Sequence, residues 1–297
     1  MHRTLKQPSD EPSTPTVHAV LEATVAALVS AGVSESCLKA EYILSRALKC
    51  HRLELPSRQN RELSAGQAGQ ISAQVERVLA GEPIQYVLGD MDFMGRSFKT
   101  DSRALIPRPE TETLVENVLA CKDVWSLEVP VVADVGTGTG CIVVTLALEQ
   151  PRGAFLAIDA SPAALELARE NAATLGVAER IQFSQGDLLD GLRSGSLDMV
   201  VSNPPYVATA EIETLQADIR EHEPRLALDG GPDGMNAISK LVPQAFDCLR
   251  PGGWLFLEIG EDQGARVKSL MKKDGFGQVQ IQRDLNGHDR IVRGQRL

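Results

Sequence analysis

From Val129 to the end of the chain, short apolar runs of strand length alternate with longer stretches of helical period, and that alternation leaves few folds open. The runs fall at residues 129–134, 155–159, 180–184, 197–202, 253–259, 277–282 and 290–294, and helical stretches at 141–148, 162–175, 235–249 and 263–272 separate most of them. Strands covered on both faces read as continuous apolar runs, and a helix between consecutive strands is the crossover a parallel pair requires. The expected fold class is α/β, a doubly wound sheet of seven strands with helices on both faces. Only residues 283–289 separate the last two runs, too few for a parallel crossover, so the last strand is expected to be antiparallel.

The first third of the chain has a different period. Val17, Val20, Leu21, Thr24, Val25 and Leu28 share one helical face, which Gly32 can end. A second helix is expected over 36–49, and a third is marked by Ala68, Ile71, Val75, Val78 and Leu79 behind a Ser64 cap. Between Tyr86 and Leu105, aromatic and β-branched residues alternate loosely around Gly89-Asp90 and Gly95-Arg96, as in a hairpin. Ile106-Pro107-Arg108-Pro109-Glu110-Thr111-Glu112 then opens a helix through Leu119, whose early acids suit its dipole. The expected organisation is a disordered leader over 1–15, a helical domain over 16–83, a hairpin linker over 84–106 and an α/β domain over 107–297.

Several function classes are disfavoured by composition. No apolar run approaches the roughly 20 residues of a membrane span. The five cysteines (37, 50, 121, 141 and 248) are scattered and form no C-x-x-C pair, which points to reduced thiols in a cytoplasm. The five histidines have no ligand spacing either, so no metal is expected. Residues 1–100 are neutral, while residues 101–297 hold 19 basic and 29 acidic groups, the whole net charge of −10. An acidic α/β half argues against a nucleic-acid partner.

Within that half, Asp134-Val135-Gly136-Thr137-Gly138-Thr139-Gly140 follows the first strand and precedes a helix. Glycines there let backbone amides approach a ligand without Cβ interference. Asp159 ends the next strand, where a carboxylate can accept both ribose hydroxyls. Asp187, after the third strand, could accept from an adenine amino group, and Leu188 could cover the ring. A dinucleotide fingerprint would need glycine where Cys141 stands. Asp134 would also repel a pyrophosphate yet tolerate a sulfonium and an ammonium. The choice falls on S-adenosyl-L-methionine.

Asn203-Pro204-Pro205-Tyr206 follows the fourth strand, hence at the same rim of a parallel sheet as Gly136. Taken alone it could be a rigid surface turn. Beside a nucleoside site it suits chemistry on a planar amide or amine, whose lone pair is tied up in resonance. The side-chain oxygen of Asn203 and the main-chain carbonyl of Pro204 could hold an NH₂ group and turn its lone pair toward a methyl donor. Two prolines would fix both acceptors beforehand, and Tyr206 could pack on the amide plane. No carboxylate or histidine near the motif stands out as a general base, and His222 reads as an exposed loop residue.

With these motifs in view, the chain from about residue 17 to 293 resembles the PrmC/HemK protein-glutamine methyltransferases of bacterial peptide chain release factors. The resemblance is carried by Gly81-Glu82-Pro83-Ile84-Gln85-Tyr86-Val87-Leu88-Gly89, Ile106 to Glu112, Asp134 to Gly140 and Asn203 to Tyr206. It extends through Glu223 to Gly231, Pro251-Gly252-Gly253-Trp254 and Asp289-Arg290. It implies a Rossmann-like class I methyltransferase sheet, with cofactor contacts at Gly136, Thr137, Gly138, Thr139, Gly140, Asp159, Leu188 and Asn203. Glutamine binding would fall to Asn203, Pro204, Pro205 and Tyr206, with methylation on N5 of the glutamine in a Gly-Gly-Gln tripeptide. Leu188 departs from relatives that carry tryptophan there. Enzymes acting on a ribosomal protein typically read proline-arginine-serine-proline where this chain has Pro107-Arg108-Pro109-Glu110, which favours the release-factor branch. The helical domain would then dock the release factor, and the enzyme is expected to be a monomer without direct nucleic-acid contact. Two other classes compete. An adenine-N6 nucleic-acid methyltransferase would need a flipped base and a positive groove, and a non-catalytic binding module would have no need of an intact glycine loop, Asp159 and Asn203.

Overall fold

The computed structural model describes residues 14–284 and 286–297. The expected leader lies outside them except for Thr14 and Pro15. The chain divides into two compact units, Met1–Leu88 and Gly89–Leu297.

In the first unit, α1 (Val17–Ser30), α2 (Ser36–Leu48) and α3 (Ala65–Leu79) are joined by a 3-10 segment at Arg52–Arg58 and followed by the short α4 (Ile84–Leu88). Thr16 caps α1 by accepting from the Ala19 amide, and Ser64 and Gln67 form a reciprocal capping box on α3. Leu28, Ile43, Leu44, Leu63 and Ile71 fill the core, each at most 2% exposed. The expectation of hairpin from residue 84 onward is corrected here, because residues 84–88 are helical. The Pro83 carbonyl accepts from the amides of Tyr86 and Val87, and Val87 turns into the core of this unit. A local turn and one buried valine outweigh β-prone composition.

The second unit opens with a true but shorter hairpin, β1 (Asp90–Phe93) with β2 (Arg96–Lys99). Phe93 and Phe98 meet edge to face at 5.9 Å and are almost wholly buried. The helix α5 (Pro109–Leu119) starts on Pro109, whose fixed φ suits a first helical position. Glu112 in its first turn also accepts from the Met94 amide in the hairpin turn, beyond its expected part in helix initiation. The short α6 (Lys122–Trp125) leads into the sheet.

That sheet holds β3 (Val131–Val135), β4 (Ala154–Asp159), β5 (Ile181–Gln185), β6 (Leu197–Ser202), β7 (Leu249–Glu258), β8 (Phe276–Arg283) and β9 (Asp289–Arg296), in the spatial order β5-β4-β3-β6-β7-β9-β8. The first five are parallel, and β9 lies antiparallel between β7 and β8. Around it run α7 (Cys141–Glu149), α8 (Pro162–Thr174), α9 (Ala217–His222), α10 (Arg225–Leu228), α11 (Asn236–Cys248) and α12 (Gly264–Lys273). Two cores sandwich the sheet. Val132, Met199 and Phe256 meet α5 and α7 on one face, and their neighbours Ala133, Val200 and Leu255 meet α11 and α12 on the other. Period-two alternation with both faces apolar is why these strands read as unbroken hydrophobic runs. The α9 and α10 helices escaped sequence reading, since one turn shows no period. His222 closes α9 and is half-buried, not an exposed loop residue. Among the described residues, no helix is long and apolar enough to cross a membrane.

Candidate active site

The strand order turns between β3 and β6, with β4 and β5 on one side and β7 on the other. Loops leaving two such strands diverge and open a crevice beyond their carboxyl ends. Here the crevice is a cleft of about 530 Å³, bordered by the loop after β3, the end of β4, Gly186 to Leu188, Asn203 and Pro205, and the segment from Ser102 to Arg108. Its size is ordinary for a small-molecule site.

Gly136, Gly138 and Gly140 all have positive φ, from 54° to 80°. A Cβ on Gly140 would lie 3.0 Å from that of Ala168, so α7 begins tightly against α8. Gly136 and Thr139 and the two residues between them line the cleft, while Gly140 stands behind them as the cap of α7. Asp159 is held from behind: the Gly138 amide donates to Oδ2 and the Ser161 amide to Oδ1, each at 2.9 Å. Each oxygen keeps a further lone pair for a ligand hydroxyl. Burial pushes its carboxyl pKa up, opposed by those amides. Asp187 lines the cleft with a side chain 74% exposed and Lys240 at 4.0 Å. Leu188 lines it too, in a left-handed conformation (φ 58°), and packs against the second core.

One sequence expectation needs correcting. Asp134, expected to act on a ligand's charge, is wholly buried beneath the loop. Its Oδ2 accepts from the Thr137 hydroxyl (2.7 Å) and the Val143 amide (3.2 Å). Desolvation lifts its pKa to about 7, against those hydrogen bonds. It braces the glycine loop, and its charge is too suppressed to sort ligands strongly.

A carboxylate that stands far from the motif in sequence lies behind Asn203 in the fold. Glu258, the last residue of β7, is wholly buried, and its Oε2 accepts from the Thr111 hydroxyl at 2.7 Å. Thr111 in turn accepts from Nδ2 of Asn203 at 3.1 Å. Burial pushes the Glu258 pKa up to about 7, with Thr111, Arg290 and Asn203 pulling it down and Glu110 adding to the rise. An acid closing the apolar run Trp254-Leu255-Phe256-Leu257 was the available signal.

Asn203 is half-buried at the end of β6, and its side-chain oxygen has no hydrogen-bond partner among the described residues. The Pro204 carbonyl likewise accepts no backbone hydrogen bond among them. Asn203 and Pro205 border the cleft. Pro204 is buried, and Tyr206 lies outside the lining, packed against the second core. Burial and the Glu258 charge push the Tyr206 hydroxyl up to about 12, so it stays neutral. The motif is clamped from outside its own sequence, by Gln263 donating to the carbonyls of Tyr206 (3.0 Å) and Gly234 (3.1 Å).

Further side chains to which sequence reasoning gave no role hold the walls. Glu223, buried, accepts from the Arg108 guanidinium (2.5 Å) and the Ile106 amide (3.2 Å). Asn171 joins the hairpin to the glycine loop: it accepts from Lys99 N and donates to the carbonyls of Lys99 and Thr139. Glu223 opens a motif of the resemblance, whereas no local pattern marks Asn171.

Set against known proteins, residues 19–89 match the PrmC N-terminal domain and residues 111–231 the methyltransferase small domain. The chain is 45% identical to a release factor glutamine methyltransferase of Moorella thermoacetica, over 93% of this chain and 96% of that one. It is 40% identical to one of Caulobacter vibrioides (90% and 92%) and 37% identical to one of Geobacter sulfurreducens (97% and 99%). Among solved structures, the hMettl16 catalytic domain in complex with MAT2A 3′UTR hairpin 1 superposes with a TM-score of 0.55 at 15% identity, covering 79% of this chain and 82% of that one, a likeness of fold alone.

Proposed function

The chain belongs to the family of release factor glutamine methyltransferases, and from that premise we propose that it methylates N5 of the glutamine in the Gly-Gly-Gln tripeptide of peptide chain release factors, using S-adenosyl-L-methionine. The observation that carries the site assignment is Asn203, whose Oδ1 is unengaged, bordering a cleft that suits a nucleoside, with the unengaged carbonyl of Pro204 next to it in the chain. The cofactor fits this cleft. The glycine loop bares its backbone, Asp159 keeps lone pairs for ribose hydroxyls, and Ile158, Ala164 and Leu188 offer apolar wall for a base. Asp187 is the acceptor for its amino group. When bound, S-adenosyl-L-methionine supplies an electrophilic methyl group.

The residues of the chain do the rest by orientation. An amide nitrogen is a poor nucleophile because its lone pair is delocalised into the carbonyl. Accepting both N–H groups on two fixed oxygens sets the nitrogen's direction and favours pyramidal character, which frees the lone pair for attack. Those oxygens need not reorganise during the reaction, since Pro204 and Pro205 restrict the backbone and Gln263 clamps the carbonyl of Tyr206 beyond them. The neutral Tyr206 stiffens the motif from the sheet side. On this reading the helical unit docks the release factor, and the enzyme works in the cytoplasm as a monomer with no nucleic acid bound.

The test is transfer of labelled methyl from S-adenosyl-L-methionine to a release factor. Label is expected on the intact protein and not on a version with the tripeptide's glutamine replaced. Label that persists after the replacement would overturn the target, and label on DNA or RNA without protein would move the reading to an adenine substrate.

A further inference from the structure

A carboxamide is nearly symmetric in shape but opposite in hydrogen bonding at its two ends, so Asn203 can serve the proposed reaction only if its oxygen faces the substrate. Rotated by half a turn, it would set two N–H donors against a substrate that is itself an N–H donor. Something must choose between the two orientations. The Asn203 backbone cannot, because both occupy the same volume.

We propose that Thr111 and Glu258 are positioning residues that lock the Asn203 carboxamide with its oxygen toward the cleft, an inference that rests on the reading of Asn203 as the substrate's acceptor. The Thr111 hydroxyl has one proton, and it is committed to Oε2 of Glu258 at 2.7 Å. Only its lone pairs are left, so it can accept from Asn203 and not donate to it. The contact at 3.1 Å must then be made by Nδ2, which leaves Oδ1 for the cleft. Thr111 is 2% exposed and Glu258 is wholly buried, so both partners are largely shielded from water. The remaining oxygen of Glu258 has no partner among the described residues, so a proton taken up there leaves Oε2 an acceptor. The relay runs in this direction while Oε2 accepts, as it does in the carboxylate and in an acid protonated on the other oxygen.

Burying a carboxylate in an apolar strand carries a cost that a leucine would avoid. In return the three residues, brought from α5, β6 and β7, convert a symmetric side chain into a directional one. Neither Thr111 nor Glu258 needs to touch the substrate nitrogen.

The experiment compares Thr111→Val, which keeps the shape and loses the hydroxyl, with Thr111→Ser, which keeps the hydroxyl, on the full chain with a release factor as substrate. Thr111→Val is expected to lower kcat about tenfold, the worth of one orienting hydrogen bond. Its affinity for S-adenosyl-L-methionine, read by calorimetry, should stay within about twofold. Thr111→Ser should keep kcat within about threefold of wild type. Wild-type kcat in Thr111→Val, or an equal fall in both variants, would overturn the relay while leaving the methyltransferase reading intact. Absence of transfer by the wild-type protein would instead overturn that reading and the relay with it.

Discussion

Replacing Gly234, which lies outside every motif, by alanine should disable the site. The residue has φ of +72°, and an added Cβ would sit 2.3 Å from the carbonyl oxygen of Tyr206 and 2.6 Å from Nε2 of Gln263. The glutamine end can move, but the carbonyl is backbone and is itself held by Gln263. Three costs combine. A left-handed alanine costs about 1–2 kcal/mol, overpacking against backbone about 1–3 kcal/mol, and a lost clamp hydrogen bond about 1 kcal/mol. Together they come to about 4 kcal/mol, or roughly 10 °C in Tm for a unit of this size. Gly252→Ala separates strain from collision, because Gly252 has φ of +85° with nothing within 4 Å of its Cβ. That variant should lose only about 4 °C. Both are measured by thermal unfolding, and kcat is read at 20 °C where both remain folded. Displacing the Tyr206 carbonyl drags Pro204 and Asn203 with it, and a misplacement of about 1 Å can cost on the order of 100-fold in rate. Gly252→Ala should retain wild-type kcat. Equal Tm losses in the two variants, or an unaltered kcat in Gly234→Ala, would refute the claim that this loop sets the motif.

Asn203→Ala should lower kcat by roughly 100- to 1000-fold through loss of one preorganised acceptor, with little change in cofactor affinity. Asp159→Ala should do the reverse, weakening S-adenosyl-L-methionine binding by about 10- to 100-fold in calorimetry; a matched effect of both on affinity would deny the division of labour. Glu258 and Asp134 hold their protons up to about pH 7 when folded, against usual values of 4.5 and 3.8. Between those limits the native state binds more protons than the unfolded chain, so their contribution to stability falls as pH rises from about 4 to about 7 and then levels. Glu258→Gln should remove its share of that fall, up to about 3 kcal/mol, in urea unfolding at pH 5 and pH 8; a slope equal to wild type would show that the carboxyl ionises freely in the fold.

Much of the architecture was legible because it is periodic. The apolar runs located the sheet strands to within a few residues, and Ser64, Gly32 and Pro109 marked helix ends through local hydrogen bonding and fixed φ. Residues 84–88 are β-prone in composition, so sequence alone extends the hairpin into them, and only the Pro83 turn and the burial of Val87 make them helical. Asp134 shows the same limit of local sequence. An acid before a glycine loop looks like a charge facing a ligand, and only depth in the structure reveals that it faces Thr137 and Val143 instead.

The order of residues alone determined the sheet, the glycine loop and the placing of Asn203 at its rim, since each depends on neighbours a few positions apart. Only tertiary structure decided what makes Asn203 directional. Thr111 and Glu258 stand 92 and 55 positions from it in sequence, and a hydrogen-bond chain among them exists only once α5, β6 and β7 are packed side by side. Burial did the rest, since a hydroxyl and a carboxyl largely shielded from water are satisfied by each other and the carboxamide.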